Sequence, residues 1–503
     1  MFTEFQRYVN WTGRQSVLAL MVVLLTANSL QAKTLYVSGV NGNDSVTYAA
    51  NSAANPWRTI GRASWGSTNR DAPVSGEAAR AGDVVLIEAG IYTAPGSNSR
   101  NFPSFMVSQS GQPGAPIVFR ATGRVELRLS SGFGSTIGAF YQNHIIWDGF
   151  TIHEATAPSS ADTGAANIWG CDGCQFLNLD INGNGNANAR GDNHTGIRIE
   201  GSKNILIRGN RIQNVYSAAN ANNGACIMTY SSGGLTLEHN ELFDCGAGIF
   251  LKGGGNHPNN DYRTIRYNLI YNTGAINGSD GSAIALHGGA GGATADRPVL
   301  IYQNVIAGAV FGVRFWMFDS VDPLNNPVHV KFVNNTIYNT TYGTVVTSGT
   351  FLSGSANVFK GNIVVASRDH AFYSDPIPSN VQDKGRYDSE HNLYFSYPFF
   401  AVFAGNDEYT LATWKTSLGQ DNAAPGSVNA DPLFVNAGAR DFRLQPGSPA
   451  FGLSRDVLDL NRNGITSDTI PAGAYVTGNE IIGRTNSPPS PVPSAPTNLR
   501  IIG

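Results

Sequence analysis

Between residues 140 and 370 short words of alternating apolar and polar residues return about every 23 to 35 residues. One word reads Gly196-Ile-Arg-Ile-Glu-Gly, Ala225-Cys-Ile-Met-Thr-Tyr, Gly248-Ile-Phe-Leu-Lys-Gly, Ala283-Ile-Ala-Leu-His-Gly, Gly312-Val-Arg-Phe-Trp-Met and Gly343-Thr-Val-Val-Thr-Ser. A second word follows each, as in "ILIRGNRI", "LTLEHNEL", "RTIRYNLI", "VLIYQNVI" and "VKFVNNTI", with asparagines at Asn210, Asn240, Asn268, Asn304 and Asn335. A period of two predicts strands, and the Gly/Asn/Asp-rich stretches between words predict turns. Strands returning at this interval without helical segments between them point to an all-β, parallel solenoid. Each turn of such a chain completes its core only against the turns above and below. The asparagine at a fixed offset from each strand word suits a ladder of amides bonded from rung to rung. Left-handed backbone geometry at a turn is the alternative reason for asparagine there.

Stacking the first words in register sorts their faces. Ile197, Cys226, Ile249, Ile284 and Val313 form one apolar column, and Ile199, Met228, Leu251, Leu286, Phe315 and Val346 form another. Both are expected to point inward. The positions between them then point outward, in two columns: Arg198, Ile227, Phe250, Ala285, Arg314, Val345, and Glu200, Thr229, Lys252, His287, Trp316, Thr347. Adjacent rungs lie about 4.8 Å apart, so Lys252 and His287 are expected to be neighbours. Arg314 and Trp316 come one rung beyond His287, and Arg198 and Glu200 two rungs before Lys252. The result is a band of cations with an aromatic platform on one sheet face. On a solvated sheet the same charges also serve solubility alone.

The flanking segments add a resemblance. "LYVSGVNGNDS", "NPWRTIGRA", "AGDVVLIEAGIY" and "SGQPGAPIVFRATG" near the N-terminus, and "NADPLFVNAGARDFRLQPGSPAFG" near the C-terminus, are similar to segments that open and close many secreted β-helix proteins. With the repeated words they make residues 34–475 resemble the right-handed parallel β-helix proteins of the pectate-lyase type. The resemblance implies a single-stranded right-handed β-helix with N- and C-terminal capping segments, and a polysaccharide lyase that takes a lysine or arginine as base, often with calcium neutralising the substrate carboxylate. The family's cluster of aspartates just before the base has no clear counterpart: Asp180, Asp192, Glu200 and Glu238 are scattered over turns and faces. Asp192, in "GDNHTG", is the candidate metal ligand, and a polar turn is its plainer reading. Asp459-x-Asn461-x-Asn463-Gly464 opens like a calcium loop, but Ile470 stands where the bidentate glutamate belongs, so a turn is expected.

The chain has 503 residues, 14% of them charged, and a formal net charge of -3. That balance gives no general attraction to nucleic acid or anionic membranes. Arg7 and Arg14, the apolar run Val17 to Leu25 and the sequence Ser29-Leu30-Gln31-Ala32 read as an export signal, the run being short for a membrane span. We divide the chain into a signal at 1–32, a cap and lead-in at 33–125, the rungs at 126–400, a closing segment at 401–478 and a Pro/Ser-rich tail at 479–503. A monomer outside the cytoplasm is expected, secreted or periplasmic, with attachment to the cell surface as a further option. Four cysteines occur. Cys171-x-x-Cys174 has the spacing of a redox motif or of half a zinc site, but no second ligand pair for zinc occurs; a loop disulfide or buried thiols is its plainer reading, and Cys226 and Cys245 are either bridged or separately buried.

The outward cluster suggests an acidic polysaccharide as partner. Arginine holds a carboxylate bidentately and an aromatic ring stacks under a sugar. Elimination from a uronate requires neutralising the carboxylate, removing the C5 proton and protonating the leaving oxygen. Lys252 is the candidate base, its ammonium disfavoured by cationic neighbours. Arg314 or Arg198 is the carboxylate clamp, His287 the acid or auxiliary base, and Glu200 and Trp316 further substrate contacts. A glycoside hydrolase needs paired carboxylates, for which Glu200 has no outward neighbour, although Asp192, Glu241 and Asp280 lie near strand ends. A C5-epimerase shares the proton abstraction, and a non-catalytic carbohydrate-binding protein could use the same face.

Overall fold

A computed structural model describes residues 32–485 except 95–102, 130–134, 154–162, 184, 186–192, 218–220, 253–261, 275–279, 288–296, 317–328, 347–356, 375–386 and 404–406. The expected export signal and the end of the Pro/Ser-rich tail lie outside the described residues. The chain winds as a right-handed parallel β-helix, and each full turn visits three stacks of strands. The first runs through Lys203–Arg208, Gly233–Glu238, Arg263–Arg266 and Val299–Tyr302. The second runs through Arg211–Val215, Glu241–Cys245, Leu269–Tyr271 and Val305–Ala307. The third runs through His194–Glu200, Gly224–Tyr230, Ala247–Lys252, Ser282–His287, Phe311–Trp316 and Tyr342–Val346. Its twelve strands pair parallel apart from the last, Asp407–Tyr409, which turns back antiparallel on Phe399–Phe403.

The asparagines form the expected ladder. Asn210 Nδ2 donates to Asn240 Oδ1 at 2.9 Å, and the chain continues through Asn268, Asn304 and Asn335 at 2.9 to 3.0 Å. It goes further than predicted, through Asn362 to Asn392 at 3.2 Å, and ends where Asn392 donates to Asp421 Oδ1 at 2.9 Å. Each carboxamide oxygen also accepts the backbone N–H of the preceding ladder residue, as Asn240 Oδ1 does from Asn210. The ladder thereby pairs the buried asparagine amides and backbone N–H groups of the sharp corner between the first two stacks, each of which would cost about 1–3 kcal/mol if left unpaired. The left-handed residue is the one before each asparagine, with φ from 50° at Asn334 to 70° at Gly209. The asparagine is there for its amide, and its neighbour makes the bend.

Ile197, Ile227, Ile249, Ile284 and Val313 fill the core from the third stack, with Ile199, Leu251, Leu286 and Phe315 beside them. Burying one such side chain is worth about 1.5–3 kcal/mol. Gly248 opens its strand word because a Cβ there would lie 2.5 Å from the carbonyl oxygen of Ala283 on the next rung. Cys226 and Cys245 are bridged, tying the third stack to the second, while Cys171 and Cys174 are buried thiols. Near the C-terminal end Trp414, on the helix Leu411–Leu418, packs against Phe372 and Phe400 and donates Nε1–H to Asp421. The last described residues run back along the corner of the first two stacks. Gly483 N–H reaches the Tyr267 carbonyl, and the Ile481 carbonyl lies 2.9 Å from His239 Nδ1.

One rung corrects the expected faces. Ala225 pairs with Ala247 and Ile227 with Ile249, so Cys226, not Ala225, stands opposite Gly248. The word in this rung starts one residue later than its sequence suggests. Ile227 and Thr229, expected outward, line up with the core residues Ile249 and Leu251. Met228 and Tyr230 take the outward positions beside Phe250 and Lys252. With a side-chain period of two, a one-residue slip exchanges both faces of a strand. The strand keeps apolar residues in either phase, so its own composition does not choose.

Candidate functional site on the outer face of the third sheet

The corrected phase places Tyr230 directly between Glu200 and Lys252, since Glu200 pairs with Tyr230 and Tyr230 with Lys252. Tyr230 is the residue that the sequence reading missed. Its signal was present at the end of "ACIMTY", displaced by a single position. Lys252 is half-buried and donates from Nζ to Asn193 Oδ1 at 2.6 Å, Asn223 Oδ1 at 2.8 Å and the Tyr230 hydroxyl at 3.0 Å. These partners come from the two turns before that of Lys252: Asn193 precedes the strand His194–Glu200, and Asn223 closes the short 3-10 turn Ala221–Asn223 before Gly224–Tyr230. The Nζ also lies 5.0 Å from the ring centroids of Tyr230 and Phe250. A lysine in an apolar word is thus held by neutral oxygens and ring faces, and its direction is fixed by contacts far apart in sequence.

The arginines are placed on the same face, each with its own carboxylate. Arg198 pairs with Glu200, two residues along the same strand, and its guanidinium stacks 4.6 Å from the Tyr230 ring centroid. Arg314 donates from Nη1 to Asp280 Oδ1 at 3.0 Å and stacks 4.7 Å from the centroid of Phe311. This changes the expected electrostatics at Lys252, because each arginine's charge is countered locally. Arg314 retains 16% side-chain exposure against 7% for Arg198, so it is the more reachable guanidinium.

Leu251 pairs with Leu286, which brings the following residues, Lys252 and His287, to neighbouring rungs; His287 is half-buried and its backbone pairs with that of Trp316. Asp192 lies outside the described residues. Met228, Phe250 and Ala285 are fully buried although they sit on the outer side of the strands, so the sheet around Lys252 is not an open solvated surface. Among the described residues no group of three or more His, Cys, Asp or Glu side chains is placed to hold a metal ion. Among the described residues, the carboxylates beside Arg198 and Arg314, those of Glu200 and Asp280, are each bound to a guanidinium.

Further along the same face the outward positions become aromatic. Phe311 pairs with Tyr342 and His370 with Phe399. Their rings stack in sequence at 5.4, 6.1 and 5.1 Å between centroids. Burial, reinforced by a hydrogen bond to Asp369, pushes the Tyr342 hydroxyl up to about 12. These ring faces are turned toward one another along the solenoid, which makes the column a brace between rungs.

Comparison with known proteins adds likeness of shape. No protein-family model and no curated protein matches the sequence. Among solved structures, the chain is similar to the pectate lyase Pel9A, with a TM-score of 0.49 and 16% identity over 89% of this chain and 97% of that one. It is also similar to the GH136 lacto-N-biosidase of Eubacterium ramulus, with a TM-score of 0.42 and 11% identity over 74% and 67% of the two chains. A third is a mannuronic acid specific polysaccharide family 6 lyase from human gut microbiota, with a TM-score of 0.37 and 12% identity over 79% and 91%. Among the described residues no helix is long and apolar enough to cross a membrane.

Proposed function

We propose that this chain is an exported polysaccharide lyase that cleaves a uronic-acid-containing polymer by β-elimination, with Lys252 as the base. The observation that carries the reading is the Lys252 amine, half-buried on the outer sheet face and aimed by Asn193, Asn223 and Tyr230. The substrate lies along the outer face, with its uronate carboxylate toward Arg314. A guanidinium has five N–H donors; Asp280 fixes the direction of Arg314, and its 16% side-chain exposure lets a substrate carboxylate approach it. Binding there withdraws charge from the substrate carboxylate and acidifies the C5 hydrogen, which Lys252 removes. The oxygens of Asn193, Asn223 and Tyr230 fix the direction of the amine. His287, on the next rung, is the auxiliary acid or base, and Arg198, pinned by Glu200, orders the Tyr230 ring. Calcium enters this reading only as an additive to be tested, since no step here needs it.

The test is incubation with alginate, pectate, glucuronan and glycosaminoglycans, with and without calcium. Ultraviolet absorbance from unsaturated uronate is the expected result. New reducing ends without that absorbance would instead mean a hydrolase, an altered uronate configuration in an intact chain an epimerase, and binding alone a non-catalytic protein. Any of these overturns the proposal.

A further inference from the structure

The position of Tyr230 carries the proposed chemistry to a substrate class, and this step rests on the lyase reading above. The Tyr230 hydroxyl lies 3.0 Å from Lys252 Nζ. The two side chains leave paired positions on adjacent strands and stand on the same side of the sheet. The Tyr230 ring is held in place by the Arg198 guanidinium at 4.6 Å. A base and a hydroxyl so close together meet a sugar ring from one side only.

We propose that Tyr230 is the proton donor to the leaving glycosidic oxygen, that the elimination is syn, and that the substrate therefore consists of uronates of manno or gluco configuration. The neutral Lys252 amine takes the C5 hydrogen as a proton. The electron pair of the C5–H bond forms the C4=C5 double bond, and the C4–O bond breaks with its pair moving to the glycosidic oxygen. Tyr230 protonates that oxygen and becomes a phenolate. The new Lys252 ammonium then passes its extra proton across the 3.0 Å hydrogen bond to the phenolate, which restores both groups. No external acid is consumed, and one proton travels from C5 to the leaving group through the pair. Such transfer from one side requires the C5 hydrogen and the C4 oxygen to lie on the same side of the sugar ring. Mannuronate and glucuronate meet that condition. Galacturonate and guluronate place the two groups on opposite sides.

The first experiment compares polymannuronate and glucuronan with polygalacturonate and polyguluronate, reading unsaturated uronate by absorbance. Release at least about tenfold faster from the first two is expected. Faster release from the second two overturns the syn assignment while leaving the lyase reading standing. No unsaturated product from any of the four overturns the lyase reading itself. The second experiment uses Tyr230→Phe, which keeps the ring against Arg198. On the polymer, kcat is expected to fall about 10²- to 10⁴-fold, the usual worth of a positioned acid, with KM changed little. On a synthetic uronide with nitrophenolate as its leaving group, which needs no proton, Tyr230→Phe is expected to keep activity within a few-fold of the parent, and Lys252→Ala to lose it. An equal loss by Tyr230→Phe on both substrates would show that the hydroxyl only positions Lys252 and would overturn the donor role.

Discussion

The asparagine corner and the outer face of the third sheet are made by the same turns of chain, yet they follow opposite rules. At the corner every turn from Asn210 to Asn392 repeats one residue in one role, and each amide bonds to the next. On the outer face the residue changes at each rung: Glu200, Tyr230, Lys252, then His287 on the following rung. Repetition suits a group whose partners, its own copy and the backbone one rung away, are the same at every turn. A site of unlike groups requires the repeat to be broken, and the strands supply it because only their inward positions are bound to the core. The aromatic column from Phe311 to Phe399 lies between these extremes, repeating a ring type to brace the turns.

The sharpest way to separate the two regions is to damage each in turn. Lys252→Ala is expected to lower lyase turnover about 10²- to 10⁴-fold with little change in Tm, measured by steady-state kinetics and calorimetry on the same preparation. Intact lyase activity in this variant would remove Lys252 as the base. Asn268→Ala is expected to do the reverse. It takes away the acceptor of the Asn240 backbone and side-chain N–H groups and the donor to the Leu237 carbonyl. The expected loss is about 4 kcal/mol of stability, read by denaturant unfolding, with kcat unchanged at temperatures where the protein stays folded.

Reducing the Cys226–Cys245 bridge, or replacing both cysteines by alanine, tests the link between the two regions, because it ties the site sheet to the second stack across a separation of 19 residues. About 3 kcal/mol of stability is expected to be lost, chiefly from a freer unfolded chain. The smallest effect is predicted away from the site. Burial raises the Glu238 carboxyl, but Arg266 and Arg208 on either side outweigh it and hold the group below its ordinary 4.5. A carboxyl depressed in the folded state contributes stability above the unfolded value and loses it as pH falls toward the folded one. The parent Tm should therefore drop as pH decreases below about 4.5, while Glu238→Gln, less stable at neutral pH, should show a shallower drop in the same window.

Much of this architecture was legible in the order of residues. The alternation in "GIFLKG" places Ile249 and Leu251 inward and Lys252 outward, and the structure agrees. The Asn-x-apolar word marked the ladder, and the same word in "FKGNIV" and "SEHNLY" carries it on to Asn362 and Asn392. The phase of residues 225–230 was not legible. Ala225, Cys226, Ile227 and Met228 are all acceptable to a core, and only pairing with both neighbouring rungs fixes which of them face in.

The sequence by itself thus determined the solenoid, its inward columns outside the rung of residues 225–230, and the outward direction of Lys252, because these depend on a period of two and on contacts between like positions. Tertiary structure alone decided the company that Lys252 keeps. Asn193 and Asn223 reach it from turns 59 and 29 residues away, Tyr230 arrives through a one-residue slip, and Arg198 and Arg314 are claimed by Glu200 and Asp280. Those contacts depend on the register and on where each loop ends. Local alternation carries no information about either.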